Sequence, residues 1–404
     1  MKIFDELEGR LLVKQTTGRE ELRQLLNEEG PITFYIGFDP TADSLHVGHL
    51  LQVLTAKRLM EAGHRPIMLV GGATALVGDP TGKTDMRKMM SHSEIRVNTH
   101  AIHKQIEKLM GFPVHCVNNL EWFEGAGFLH VIRDIGKHFS VNNMLRSDCF
   151  KSRMENGGLS FLEFNYMIMQ ATDFNWLHKA NGCILQIGGD DQWSNILAGV
   201  DLVHKISGDR VFGLTLPLLI DSNGNKMGKT EKGAVWLDPE KTSPFDFFQF
   251  WRNIPDSEVL PCFRKLTFLT FQEIMRIPFA NDIKQINDSK KRLAFEITKI
   301  VHGEDAAQEA QKRAEALFES QDTSELEAFE IQDGMHILDL LVGSVMAKSR
   351  TDARNLINGK GVSINDEVLT DPTINVTISR FGERVMLRKG KKHHRLFHLR
   401  AKHE

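Results

Sequence analysis

The residues of this chain best equipped for chemistry are His46-Val47-Gly48-His49 and Lys226-Met227-Gly228-Lys229-Thr230. The first group follows an apolar, β-branched and aromatic run over 32–38 and the turn Asp39-Pro40-Thr41. It precedes Leu50, Leu51, Val53, Leu54, Leu59 and Met60, whose spacing predicts a helix ending at Gly63. A helix start carries unpaired N–H groups and the positive end of the macrodipole, so it attracts anions. Two imidazoles add donors there, and Gly48 leaves room for a flat ligand against the backbone. The chemistry suggested is the handling of a nucleotide's phosphates. The second group follows Ser222-Asn223-Gly224, which places two lysines on a loop. Such compact, movable charges suit an oxyanion whose charge grows during reaction. A lone pair of lysines at this spacing is weak evidence; the two-histidine motif ahead of it gives it weight.

These groups need a scaffold. Apolar runs at 32–38, Pro66–Gly72, 184–189 and 214–220 read as strands, and the first three end in glycines or polar turns. Strand, helix and strand with glycine-rich exits predict an α/β fold, a doubly wound parallel sheet. Ligands in such sheets sit past the carboxyl ends of the strands, where Gly37–His49 and Gly71–Lys83 lie. The expected organisation is a catalytic domain over 1–225, with a helical insertion at about 120–185. A helical region at 226–320, an acidic linker at 321–334 and a small α+β domain at 335–404 follow. Within the insertion, Tyr166, Gln170 and Asp173 fall on one helical face amid Met167, Ile168 and Met169. That pattern predicts a buried polar pocket.

Composition narrows the class. The 404 residues carry a net charge of -3 and ordinary apolar and charged fractions, as a globular protein does. The charge is uneven: between Arg384 and Glu404 lie eight Lys or Arg and four His against one acid, Glu404. A basic end on a near-neutral chain is a candidate polyanion contact. Cys116, Cys149, Cys183 and Cys262 are scattered, which argues against a disulfide framework or a zinc site. The chain opens without an apolar signal core and holds no long apolar run, so the cytosol is the expected compartment and no membrane partner is expected.

Taken together, the motifs resemble those of class I aminoacyl-tRNA synthetases. His46–His49 is similar to that family's HIGH motif, and Lys226–Thr230 to its KMSKS loop. Tyr35–His49, Gly71–Lys83, Phe164–Phe174, Leu185–Ile196 and Lys226–Thr230 resemble the bacterial type of tyrosyl-tRNA synthetase, and Lys348–Val362 resembles the S4 RNA-binding pattern. The resemblance implies a Rossmann-like catalytic domain, a C-terminal S4-like module, and a homodimer joined through the inserted segment. It implies that Tyr35 and Asp173 hold the hydroxyl of L-tyrosine, since a phenol can donate to a carboxylate while accepting from a hydroxyl. Tyrosyl-tRNA synthetases are themselves the standard case of rejecting phenylalanine through that hydroxyl. Tyr166, Gln170 and Asp79 would take the α-ammonium, with Asn119 and Gln192 as further pocket residues. For ATP the implied set is Gly37, Asp39, Gly48, Gly189, Asp191 and Met227, with Asp191 on the ribose. His46, His49 and Thr41 would meet the phosphates, and Lys226, Lys229, Lys83 and Arg87 would act on the leaving pyrophosphate. Mg2+ would arrive with ATP, and no protein metal site is expected. Arg350, Arg354, Lys360, Arg388 and Lys391 would contact tRNA(Tyr).

The chain departs from the family pattern at three places. Val47 stands for isoleucine in HIGH, Gly228 and Thr230 stand for the serines of KMSKS, and Thr172 stands where a tyrosine is usual, next to Asp173. Tyrosine is also scarce: 25 Phe but only two Tyr, Tyr35 and Tyr166, both in the expected tyrosine pocket. Either tyrosine survives only where its hydroxyl meets substrate, or the source's proteins share the bias. Three other readings compete. A tryptophanyl relative would share both ATP motifs. A small-molecule nucleotidyltransferase would lack the RNA-binding-like C-terminus. A non-catalytic RNA-binding derivative would have no need of the intact histidines and lysines.

Overall fold

The computed structural model describes residues 1–81, 90–155, 158–220, 224, 226–230, 233–278, 283–318, 329–365, 367–390 and 393–400. The chain divides into two compact units, Met1–Gln311 and Lys312–Glu404. The first unit is built on six strands: β1 (Gln15–Thr16), β2 (Thr33–Phe38), β3 (Arg65–Val70), β4 (His115–Asn118), β5 (Cys183–Gly189) and β6 (Phe212–Leu216). Their spatial order is β1-β6-β5-β2-β3-β4. β2 to β6 run parallel and only the edge strand β1 is antiparallel. After the edge strand β1 the chain crosses to central β2, builds outward through β3 and β4, then returns to the other side of β2 through β5 and β6. The exits of β2 and β5 therefore flank a topological switch point, where doubly wound sheets bind ligands.

Local chemistry explains the elements. Phe34, Tyr35, Ile36 and Phe38 are buried, as a central parallel strand requires. β6 stops at Leu216 rather than reaching 220, because Pro217 lacks the N–H that the ladder needs. The short edge strands β1 and β4 were not legible as strands, since neither has a long apolar run. The Phe161–Asn181 helix begins with a capping box in which Ser160 and Glu163 exchange bonds, and it ends at Gly182 with φ 62°.

Residues 244–318 are mostly helical. Two buried arginines tie the sheet's helices to the 264–269 segment. Arg10 donates to the carbonyls of Arg264, Thr267 and Leu269, Arg58 donates to Thr267, and both pair with Glu6. Burial, with Arg10 beside it, brings the Arg58 guanidinium down to about 10. The core of this region also holds His302, edge-on to Phe247 at 4.9 Å. Both His302 ring nitrogens are buried without a hydrogen-bond partner among the described residues.

The second unit has a sheet ordered β12-β11-β14-β15-β9, from β9 (Phe329–Gln332), β11 (Val362–Ile364), β12 (Glu367–Val368), β14 (Arg384–Lys389) and β15 (His393–Arg400). A two-stranded pair, β10 (Met335–His336) with β13 (Asn375–Val376), completes its strands among the described residues. Ile337, Leu341, Ala353, Ile357, Val385, Leu387 and Phe397 form its core. The expected linker 321–334 overlaps this sheet: Phe329–Gln332 pair in parallel with Phe397–Arg400. The alternation of Phe329 and Ile331 with polar neighbours suits a strand with one covered face. By compactness the first unit ends at Gln311, inside the Glu304–Phe318 helix.

Burial holds the His302 imidazole down at about 4, with Lys108 contributing in the same direction. The folded state binds fewer protons there than the unfolded chain, so stability is lost as pH falls below about 6.5. His302→Phe keeps the ring and removes the titration. Thermal unfolding from pH 8 to pH 5 should show a smaller drop in Tm for this variant than for the wild type.

Candidate active site

At the nucleotide end, His46 caps the Val47–Glu61 helix with extended backbone. Its Nδ1 accepts from the Gly48 N–H at 3.0 Å, and His49 Nδ1 accepts from the His46 N–H at 3.3 Å. The rings stack at 3.9 Å. Because both Nδ1 atoms are acceptors, each neutral ring carries its proton on Nε2 and is a donor there. Burial, and then the neighbouring His46, hold His49 well below the usual imidazole range, so it stays neutral. Gly48 permits this stack: a Cβ there would lie 2.8 Å from His46 Cε1. Gly37 is exposed on β2, and a Cβ on Gly189 would meet Asp191 Oδ1 at 2.7 Å. Thr41 is exposed at the exit of β2.

The lysine loop crosses the same end. Ile220 and Lys226 form a β-bridge, and the Met227 N–H donates to Leu219 O at 2.7 Å. Lys229-Thr230 (β7) pairs with Gly233-Ala234 (β8). Lys226 Nζ lies 3.0 Å from Asp191 Oδ2, so a loop lysine reaches the exit of β5. Lys83 and Arg87 lie outside the described residues.

Away from the phosphates, the expected tyrosine residues are joined by hydrogen bonds. Asp173 is 1% exposed and Tyr35, also 1% exposed, packs on Phe174 at 5.4 Å. Trp122 Nε1 donates to Asp173 Oδ1 at 2.9 Å, and Asn119 Nδ2 donates to Oδ2 at 3.2 Å. Asn119 Nδ2 also reaches Thr74 Oγ1, Thr74 Oγ1 donates to Asp39 Oδ1 at 2.7 Å, and the Tyr166 hydroxyl donates to Asp39 Oδ2 at 2.8 Å. Nearby, Gln192 Nε2 donates to Asp79 Oδ2 at 2.7 Å while its Oε1 accepts from Asn195. Two buried atoms in this set, the Tyr35 hydroxyl and Gln170 Oε1, have no partner among the described residues. They are the polar atoms a ligand would complete. Burial raises the Asp173 carboxyl well above the usual range, against the opposing pull of the Asn119 and Trp122 bonds. Burial, then the charge of Asp173, likewise raises the Tyr35 phenol.

Asp39, expected at the nucleotide, turns its carboxylate to Tyr166 and Thr74, so it belongs to the tyrosine end as well. Thr172 donates back to Ile168 O at 2.7 Å within its helix, while Trp122 and Asn119 donate to Asp173. Sequence reading missed Thr74 and Trp122. Trp122 follows Asn119 by one helical turn, a signal visible only once the turn after β4 is known to be helical. In the second unit, Arg350 pairs with Asp339 at 2.9 Å, Arg354 is exposed, and Lys360 is exposed in a left-handed conformation. Arg388 lies on β14, and Lys391 is outside the described residues.

The sequence profile of the tRNA synthetases class I (W and Y) matches residues 27–319. The chain belongs to this family. A second profile, the tyrosine–tRNA ligase SYY-like C-terminal domain, matches residues 318–397 of this synthetase. The tyrosine–tRNA ligase of Acetivibrio thermocellus is 49% identical over 98% of both chains. That of Clostridium botulinum is 49% identical over 96% of this chain and 97% of its own. Among solved structures, a C-terminally truncated mitochondrial tyrosyl-tRNA synthetase from Aspergillus nidulans is 34% identical. It superposes with a TM-score of 0.71 over 78% of this chain and 94% of its own.

Trp122→Phe removes one of the two donors to the Asp173 carboxyl. Hydrogen bonds to charged groups contribute about 1.5–3 kcal/mol, so tyrosine affinity should fall roughly tenfold to a hundredfold. The ionised form loses support, so the acid limb of tyrosine binding should move to higher pH. Equilibrium binding across pH checks both.

Proposed function

We propose that the chain activates L-tyrosine with ATP to tyrosyl-adenylate and pyrophosphate, then transfers tyrosine to the 3′ end of tRNA(Tyr). The observation that carries this reading is the buried carboxylate of Asp173 beside the buried Tyr35 hydroxyl. A phenol can donate to the first and accept from the second, whereas an indole N–H only donates. This favours tyrosine over tryptophan within the family.

On this reading, Asp79, Tyr166 and Gln170 receive the substrate's α-ammonium, with Asn119 and Gln192 orienting the pocket. The substrate carboxylate attacks the α-phosphorus in line. The bond to the bridging oxygen breaks, and pyrophosphate leaves with the electron pair. The attacking oxygen is already ionised, so catalysis consists of positioning and charge stabilisation. His46 and His49 donate from Nε2 to the phosphates, with Thr41 beside them. Lys226 and Lys229 neutralise the leaving pyrophosphate, with Lys83 and Arg87 in support. Lys226 must release Asp191 to do so, which frees that carboxylate for the ribose hydroxyls. Among the described residues no group of three or more His, Cys, Asp or Glu could hold a metal ion. Mg2+ is assigned to the ATP phosphates because it binds through substrate phosphates and keeps several waters rather than needing a protein cage. In the second step the terminal ribose hydroxyl of tRNA attacks the adenylate's carbonyl carbon and AMP leaves.

The basic residues Arg350, Arg354, Lys360, Arg388 and Lys391 are assigned to RNA, with backbone and shape contacts dominating. Residues 226–320 are assigned to the lysine loop and a helical tRNA-contacting region. A homodimer is supported by an unusually apolar surface in the inserted segment: Phe128, Leu129 and Phe161 are 70%, 79% and 74% exposed. Large apolar side chains exposed in one segment are candidates for an interaction site. No helix among the described residues is long and apolar enough to cross a membrane. The cytosol is the compartment proposed.

Pyrophosphate–ATP exchange should depend on tyrosine and not on phenylalanine or tryptophan; its absence with tyrosine would overturn the assignment. Asp173→Ala should abolish exchange, while Arg354→Ala should leave it intact and raise the KM for tRNA in charging. Sedimentation should give twice the mass of the 404-residue chain. Replacing Leu129 and Phe161 by Glu should yield monomers if that face joins the copies.

A further inference from the structure

Two departures from the family's motifs, Val47 and Gly228, touch each other. A Cβ on Gly228 would lie 2.9 Å from Val47 Cβ and 3.4 Å from its Cγ1. Gly228 also has φ 83°, a conformation that favours glycine. Backbone bonds tie the same residues together. The Val47 N–H donates to Val235 O at 3.0 Å, and the Val235 N–H donates to Gly228 O at 2.7 Å. On the same edge, the Leu237 N–H donates to Leu45 O at 2.9 Å, and His46 bridges Trp236. The first N–H of the histidine helix, normally an orphan, is thus satisfied by the segment that carries the lysines.

We infer that Gly228 is a positioning residue seated on Val47, and that this seat sets where Lys226 and Lys229 stand relative to the two histidines. The inference rests on the proposed role of those lysines at the ATP phosphates. Gly228 sits between the two lysines in sequence, so a displacement there moves both. Val235 receives its contacts from both sides, which makes loop and helix start one edge. A side chain at 228 meets Val47 Cβ first, at 2.9 Å, so only a change that removes that carbon, Val47→Gly, makes room. The steric part of any loss at 228 is therefore repairable from 47, whereas the backbone strain is not.

The test is a double-mutant cycle on the full chain: Gly228→Ala, Val47→Gly and both together. Amide hydrogen exchange at Val47 and Val235 reads the seat directly. Exchange kinetics with ATP and equilibrium tyrosine binding read its consequence. Gly228→Ala should speed amide exchange at both positions and lower kcat/KM for ATP, each roughly tenfold, with tyrosine affinity unchanged. Val47→Gly in that background removes the 2.9 Å contact and should restore part of both losses. Additive losses in the double variant, unaltered amide exchange in Gly228→Ala, or an equal fall in tyrosine affinity would overturn the inference. If the wild type showed no tyrosine-dependent exchange, the lysine assignment would fall, while the amide cycle would still decide whether the seat exists.

Discussion

A carboxylate kept out of water, Asp173, is the constraint around which the catalytic unit is arranged. Burying it disfavours its charge, as the raised pKa records. Trp122 and Asn119 partly offset that cost, and both come from the turn after β4. The same Asn119 reaches Thr74 after β3, which reaches Asp39 after β2, which accepts from Tyr166 on the helix that carries Asp173. Each polar group leaves the carboxyl end of a different strand or lies on one helix face. The parallel sheet is what brings those exits to one edge. The Tyr35 hydroxyl and Gln170 Oε1 are buried without a hydrogen-bond partner among the described residues.

The second constraint is a helix start that must stay open to anions. The two histidines accept at Nδ1 from backbone N–H groups, which leaves Nε2 to carry the proton, and burial keeps His49 neutral. Positive charge is supplied instead from a separate segment, the lysine loop, paired with Asp191. The proposed division of labour puts neutral donors on the helix start and positive charge on the lysine hairpin.

Much of this was legible in the sequence. The strand runs, the His46–His49 motif and the face shared by Tyr166, Gln170 and Asp173 depend on local periodicity, which survives without tertiary knowledge. Strands β1 and β4, Thr74 and Trp122 were not legible. β1 and β4 are too short and polar to have a period. Thr74 and Trp122 matter only because the turns after β3 and β4 converge. The linker boundary shifted for a related reason: Phe329–Gln332 is too short to read alone and becomes a strand only against β15.

By itself the sequence determined the family, the doubly wound class and the residue types available for chemistry, because motifs and hydrophobic periods are local. Tertiary structure decided how those residues are wired. It placed Asp39 with tyrosine's end of the site and turned Thr172 back into its own helix. It also joined Gly228 to Val47 across the sheet's edge. These are contacts between residues far apart in the chain, and a linear order specifies them only through the fold that brings them together.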